Sequence, residues 1–136
     1  MWTCPECGKK FRNKNQWHSC YILSLNDHLK NKPENIRNTV IQLIKKIEKF
    51  GAIQMNPVRS VIQLKAGATF LSIKPRKNHV ELEFQLGRRI DEFPIHQAVK
   101  ISGKRFLHFL YLQDPEDIDE ILITWLHESY HLISDT

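Results

Sequence analysis

The chain has no run of apolar residues approaching the ~18 that a membrane-spanning helix requires. It has no cysteine after position 20. Three thiols crowded into the first twenty residues are an odd set, which suits a metal in a reducing compartment and not a disulfide framework. Internal repeats and low-complexity tracts are missing. So are a glycine-rich phosphate loop and the motif of a serine or cysteine nucleophile. The opening residues lack the charged-then-apolar pattern of a signal peptide, so a cytoplasmic protein is expected. Membrane-spanning, disulfide-rich secreted and disordered classes are thereby set aside.

What is present is the composition of a folded domain, 136 residues with 41% hydrophobic and 26% charged side chains. The net charge of +5 hides a segregation: the last 23 residues hold seven acids and no Lys or Arg, and the rest balances at +12. A basic body attracts polyanions through counterion release. The plainer reading is that its charges solvate the surface and the acids cap a helix.

Three segments are expected: a metal knuckle over 1–20, a polar linker over 21–32, and an α+β domain over 33–136. In the linker, Ile22, Leu23, Leu25 and Leu29 are candidates to dock on the body. A helix is predicted over 33–50, with Pro33 in its first turn, Glu34 at the positive end of its dipole and Gly51 at its stop. Ile36, Val40, Leu43, Ile47 and Phe50 form its apolar stripe, widened by Ile41 and Ile44. The period then changes to two, predicting strands near 53–56, 60–65, 69–74, 79–86, 99–102 and 105–112. The last is apolar on both faces, predicting a central strand covered on both sides. Asp114-Pro115 opens a second helix running to Ile133, with Asp117 as capping acid and Ile118, Leu122, Trp125 and Leu132 on its core face. Ile121, Leu126 and Ile133 lie beside them. The fold class is α+β: an antiparallel meander of five or six strands flanked by an N-terminal and a C-terminal helix.

Cys4 and Cys7 are two residues apart with Gly8 following, and His18 and Cys20 return ten residues later. Three thiolates and an imidazole satisfy tetrahedral zinc and leave no open position, so one structural Zn2+ is expected, with His28 as an alternative to His18. A segment this short cannot bury a core of its own and needs such a staple.

His127-Glu128-Ser129-Tyr130-His131 spells H-E-x-x-H, the pattern of zinc hydrolases in which the glutamate activates a metal-bound water. Both histidines fall opposite the Ile118–Leu122–Trp125 stripe, on the solvent side, and only five residues follow to offer a third ligand. A catalytic role is therefore not expected. Lys74, Arg76, Lys77, Arg88, Arg89, Lys104 and Arg105 gather at turns and strand ends, near Phe70, Phe93 and Phe106 in sequence. Cations beside aromatics can grip single-stranded nucleic acid, although such residues are more often solvated turns beside core aromatics. His79, His96 and His108 fall on separate elements without ligand spacing.

The leader Met1 to Phe11, together with Asn15 to Cys20, resembles a zinc-knuckle leader of small bacterial proteins. There it precedes a domain of unknown function of the family DUF5655. The body is similar as well, in Phe70 to Lys77, in His79 to Leu86, in Asp117-Ile118-Asp119 and in Trp125 to Tyr130. The resemblance implies no established activity. Fusion of related domains to nuclease-like modules points toward nucleic acid by association alone. The expected function is a non-catalytic binding module whose partner is nucleic acid, with no membrane. A protein-interaction or small-ligand domain is the alternative.

Overall fold

The computed structural model describes residues 2–3, 10–12, 25, 29–58 and 60–135. Cys4, Cys7, His18, Cys20, Ile22, Leu23 and His28 lie outside the described residues. Two short strands, β1 (Trp2–Thr3) and β2 (Lys10–Phe11), pair antiparallel. Helix α1 (Glu34–Ile47) follows, extended by a 3-10 turn at Glu48–Phe50. Strands β3 (Gln54–Val58), β4 (Val61–Ala66), β5 (Ala68–Pro75), β6 (Val80–Leu86), β7 (Ile95–Ser102) and β8 (Arg105–Leu112) come next, then helix α2 (Glu120–Ser134). The fold is α+β, as the change of period from four to two and back predicts.

Strands β3 to β8 form one antiparallel sheet in the order β3-β4-β5-β6-β8-β7. The meander therefore breaks at its end, where β8 inserts between β6 and β7. Composition explains the swap. His108, Leu110 and Leu112 of β8 are fully or almost fully buried, whereas most of β7 beyond Ile95 is exposed and suits an edge. Both helices pack on one face of the sheet, chiefly over β5 and β6. Val80, Leu82, Phe84 and Leu86 point into this layer, while Glu81, Glu83 and Gln85 face the other way. Neither helix lies on that second face. The two-sided cover expected for residues 105–112 is thus corrected: Tyr111 is 47% exposed.

Helix α1 buries Ile36, Val40, Leu43, Ile44 and Ile47 of the expected stripe together with Thr39, while Phe50 is only partly buried and Ile41 is exposed. Leu29 joins the same core and Leu25 packs against it. Gly51 ends the segment at a φ of 149°, and a Cβ there would collide with the Tyr130 hydroxyl. The second helix starts later than expected. Residues Pro115–Asp117 form a separate 3-10 turn, with Asp117 accepting from the Gln113 and Asp114 amides at 2.8 and 3.1 Å. Asp119 then caps a fresh helix by accepting from Leu122 N at 2.8 Å. Ile118, Leu122, Trp125, Leu126 and Ile133 are buried as expected and Ser129 and Tyr130 join them, whereas Ile121, expected beside the core, is 57% exposed and Leu132 only partly buried.

A register shift between β4 and β5 passes directly from the Leu64–Leu71 pair to Lys65–Thr69, leaving Phe70 unpaired. Phe70 and Leu71 both enter the core as a result. The Phe70 carbonyl, outside the ladder, accepts a buried hydrogen bond from Ser129 Oγ at 2.9 Å. So Phe70 is a core residue and not a surface aromatic, and Ser129 fastens α2 to the sheet.

Candidate functional site

The sheet face opposite the helices is assembled by register. Lys74 lies opposite Glu81, which lies opposite Tyr111. One step along, Asn56, Gln63, Ser72, Glu83, Phe109 and Gln97 form a row across all six strands. Gln85, Leu107 and Val99 form the next. The face is polar at the β3–β5 side and aromatic over β8.

Tyr111 is the centre of the aromatic part. His79, just before β6, stands 4.4 Å from its ring. His96 stands 4.2 Å from it on the other side and 6.3 Å from Phe109. His96 reaches this position because the β7 ladder shifts register between Ile95 and Gln97, which re-aims the bulged residue. Two histidines from separate elements thus flank one tyrosine. Sequence reasoning had no register and missed the row. The sole signal was the two-faced apolar run of β8, whose outward members are Leu107, Phe109 and Tyr111.

His108 plays a different part. It is buried and stacked on Phe84 at 5.5 Å. Its Nε2 accepts from the Ile90 amide at 3.0 Å and its Nδ1 faces the Phe106 carbonyl at 3.1 Å, which fixes the proton on Nδ1. Burial lowers its pKa from the ordinary value, against the opposing pull of the Phe106 carbonyl. A neutral imidazole thereby pins the segment between β6 and β7.

The seven basic candidates divide between the two ends of the sheet. Lys74, Arg76 and Lys77 stand at the β5–β6 turn, the end that holds His79 and Tyr111. Arg88, Arg89, Lys104 and Arg105 stand at the other end, beyond Leu86 and its partner Phe106. The seven residues of β6 put about 20 Å between the groups. Lys74 is paired with Glu83, Arg76 with Glu81 at 3.9 Å, and Arg89 with Asp91 at 3.0 Å. Lys77 and Lys104 are exposed. Such partly exposed pairs are worth ~0–1 kcal/mol. Phe93, 94% exposed, borders a cleft with Tyr111, Gln113 and Glu116, whereas Phe106 is half-buried.

The H-E-x-x-H segment lies on α2 with His127 and His131 exposed, as its spacing predicts. Glu128 is not poised over them. Arg88 Nε and Nη2 donate to its two carboxylate oxygens at 3.1 and 2.9 Å, and this pairing raises the Arg88 pKa further. Both carboxylate oxygens are thereby engaged by the guanidinium and not by the histidines. Among the described residues no third His, Cys, Asp or Glu joins the two histidines. No helix among them is long and apolar enough to cross a membrane.

Comparison with curated proteins and with solved structures returned no match. The profile of DUF5655, a domain of unknown function, matches residues 25–133 and so spans the six-stranded sheet and both helices. The chain belongs to the DUF5655 family, whose shared domain here is this two-helix, six-stranded layer.

Proposed function

We propose that this chain is a non-catalytic binding module that takes single-stranded nucleic acid on the helix-free face of its sheet. The observation that carries the reading is the row His79–Tyr111–His96, with ring separations of 4.4 and 4.2 Å, on the sheet face opposite the two helices. Every base has a π-face that can stack on such rings, and each base–aromatic stack contributes ~1–3 kcal/mol. Antiparallel sheets that present aromatics beside cations hold unpaired bases in this manner. Lys74, Arg76 and Lys77 at the near end and Arg89, Lys104 and Arg105 at the far end would meet the phosphates on either side, whereas Arg88 is tied to Glu128 on the helix side.

The N-terminal segment would add a zinc knuckle. Cys4, Cys7, His18 and Cys20 supply three thiolates and an imidazole, a donor set that fits one tetrahedral structural zinc. A second reading, protein interaction, is favoured by the cleft of about 470 Å³ that Phe93 and Tyr111 share with Glu116. Its carboxylate beside rings suits a cationic peptide side chain more than a phosphate.

Fluorescence anisotropy with labelled single- and double-stranded DNA and RNA separates these readings. The nucleic-acid reading predicts a Kd tighter than ~100 μM at physiological salt and a steep loss of affinity as salt rises. Replacing Arg76, Lys77 and Arg89 by Ala should lower the log–log salt slope by about one for each lost phosphate contact. Binding weaker than ~100 μM to every oligonucleotide would overturn the reading.

A further inference from the structure

The pair His127 and His131 has no part in that binding face, yet its geometry is specific. The two rings stand one turn apart on the exposed side of α2, with centroids 4.5 Å apart and Nε2 atoms 2.9 Å apart. His127 is stacked on Phe50 at 4.7 Å with 26° between the planes. The Tyr130 ring stands edge-on to His131 at 5.5 Å. Phe50 packs against the core, and the Tyr130 hydroxyl donates to the Ala52 carbonyl at 3.1 Å. Both imidazoles are therefore backed by anchored rings, and little rotamer freedom remains to be lost on binding a ligand.

A neutral imidazole offers one N–H and one lone pair. Facing ring nitrogens 2.9 Å apart must share a proton or converge their lone pairs on a cation. With metal–nitrogen bonds of ~2.0–2.1 Å, a bite of this length subtends about 90° at the metal. A tetrahedral ion would need about 3.4 Å. Right-angle coordination by imidazole is the preference of tetragonal and octahedral ions such as Cu2+ and Ni2+.

We propose that His127 and His131 form an exposed bidentate site for a tetragonal or octahedral first-row divalent cation, its remaining positions filled by water or an exchangeable anion. Copper binds more tightly than nickel there, following the general affinity order. Glu128 takes no part, because Arg88 holds both of its oxygens. The open positions set this site apart from a closed four-ligand knuckle, and the salt link engages both oxygens of the carboxylate that hydrolysis would use.

The test is a titration of NiCl2 into the full chain, followed by paramagnetic broadening of histidine ring signals in a non-chelating buffer. One equivalent should broaden His127, His131 and the Phe50 ring before His79 and His96. His127→Ala and His131→Ala, both at exposed positions, should each weaken binding at this site at least about tenfold, since a single imidazole loses the chelate. Circular dichroism checks that both variants keep their fold. Equal broadening at His79 and His96, or an affinity changed by less than about twofold in either variant, would overturn the proposal.

Discussion

Replacing His108 tests whether one buried imidazole holds the β6–β7 connection and makes the protein acid-sensitive. Two effects separate by pH. In His108→Leu the Ile90 amide loses its acceptor in a buried setting. An orphaned donor of this kind costs ~1–3 kcal/mol, which should appear in full at pH 7.5. The second effect is linkage. Burial lowers the His108 pKa in the folded chain, so below about pH 6.5 the unfolded chain binds a proton that the folded chain refuses. Stability from this group is present above that pH and is lost as pH falls toward the lowered folded value. Within the window the slope approaches ~1.4 kcal/mol per pH unit. Urea denaturation followed by tryptophan fluorescence, with Trp125 buried beside the sheet, reads both effects. The wild type should lose stability between pH 6.5 and 5.5 more steeply than His108→Leu, so the gap between the two narrows on acidification. Parallel pH profiles would refute the reasoning.

Gly51→Ala should destabilise by ~1–3 kcal/mol in the same denaturation experiment, because the positive φ and the Tyr130 hydroxyl both oppose a Cβ. A loss below about 0.5 kcal/mol would mean the turn relaxes at no cost. Ser129→Ala removes the donor to the Phe70 carbonyl, and the predicted cost is about 1–3 kcal/mol for a buried unsatisfied acceptor. An unchanged urea midpoint would show that water replaces the hydroxyl. Elemental analysis of the purified full chain should find one zinc, lost in Cys4→Ser, and its removal by chelator should leave the melting of the 33–136 body unchanged. Full zinc occupancy in Cys4→Ser would count against the knuckle.

The helices and strands were legible because their signals are local. The Ile36–Ile47 stripe and the Val80–Leu86 alternation each follow from one element's own period. What depends on pairing was not. The β8–β7 swap, the bulge at Phe70 and the inward turn of Ser129 and Tyr130 arise from contacts between elements distant in the chain. Asp119 illustrates the point: Asp114-Pro115 is a sound helix start, yet Asp119, five residues after Asp114, caps a separate helix while Ile118, Leu122, Trp125, Leu126 and Ile133 keep the expected buried face. The candidate face suffered most. Seven cations read as gathering at turns and strand ends divide between two ends of the sheet, and the ring row at Tyr111 depends on a bulge that only register reveals.

The central claim is that Tyr111 stacks on an unpaired base, and a paired titration measures it directly. Wild type, Tyr111→Ala and Ile121→Ala would be titrated with the same labelled single-stranded RNA at physiological salt. Ile121 is 57% exposed on α2, away from the sheet's second face, and controls for loss of a surface hydrophobe. The account predicts that Tyr111→Ala weakens binding by about 5- to 150-fold, the equivalent of ~1–3 kcal/mol, while Ile121→Ala binds like the wild type. Equal affinity of all three proteins would contradict it.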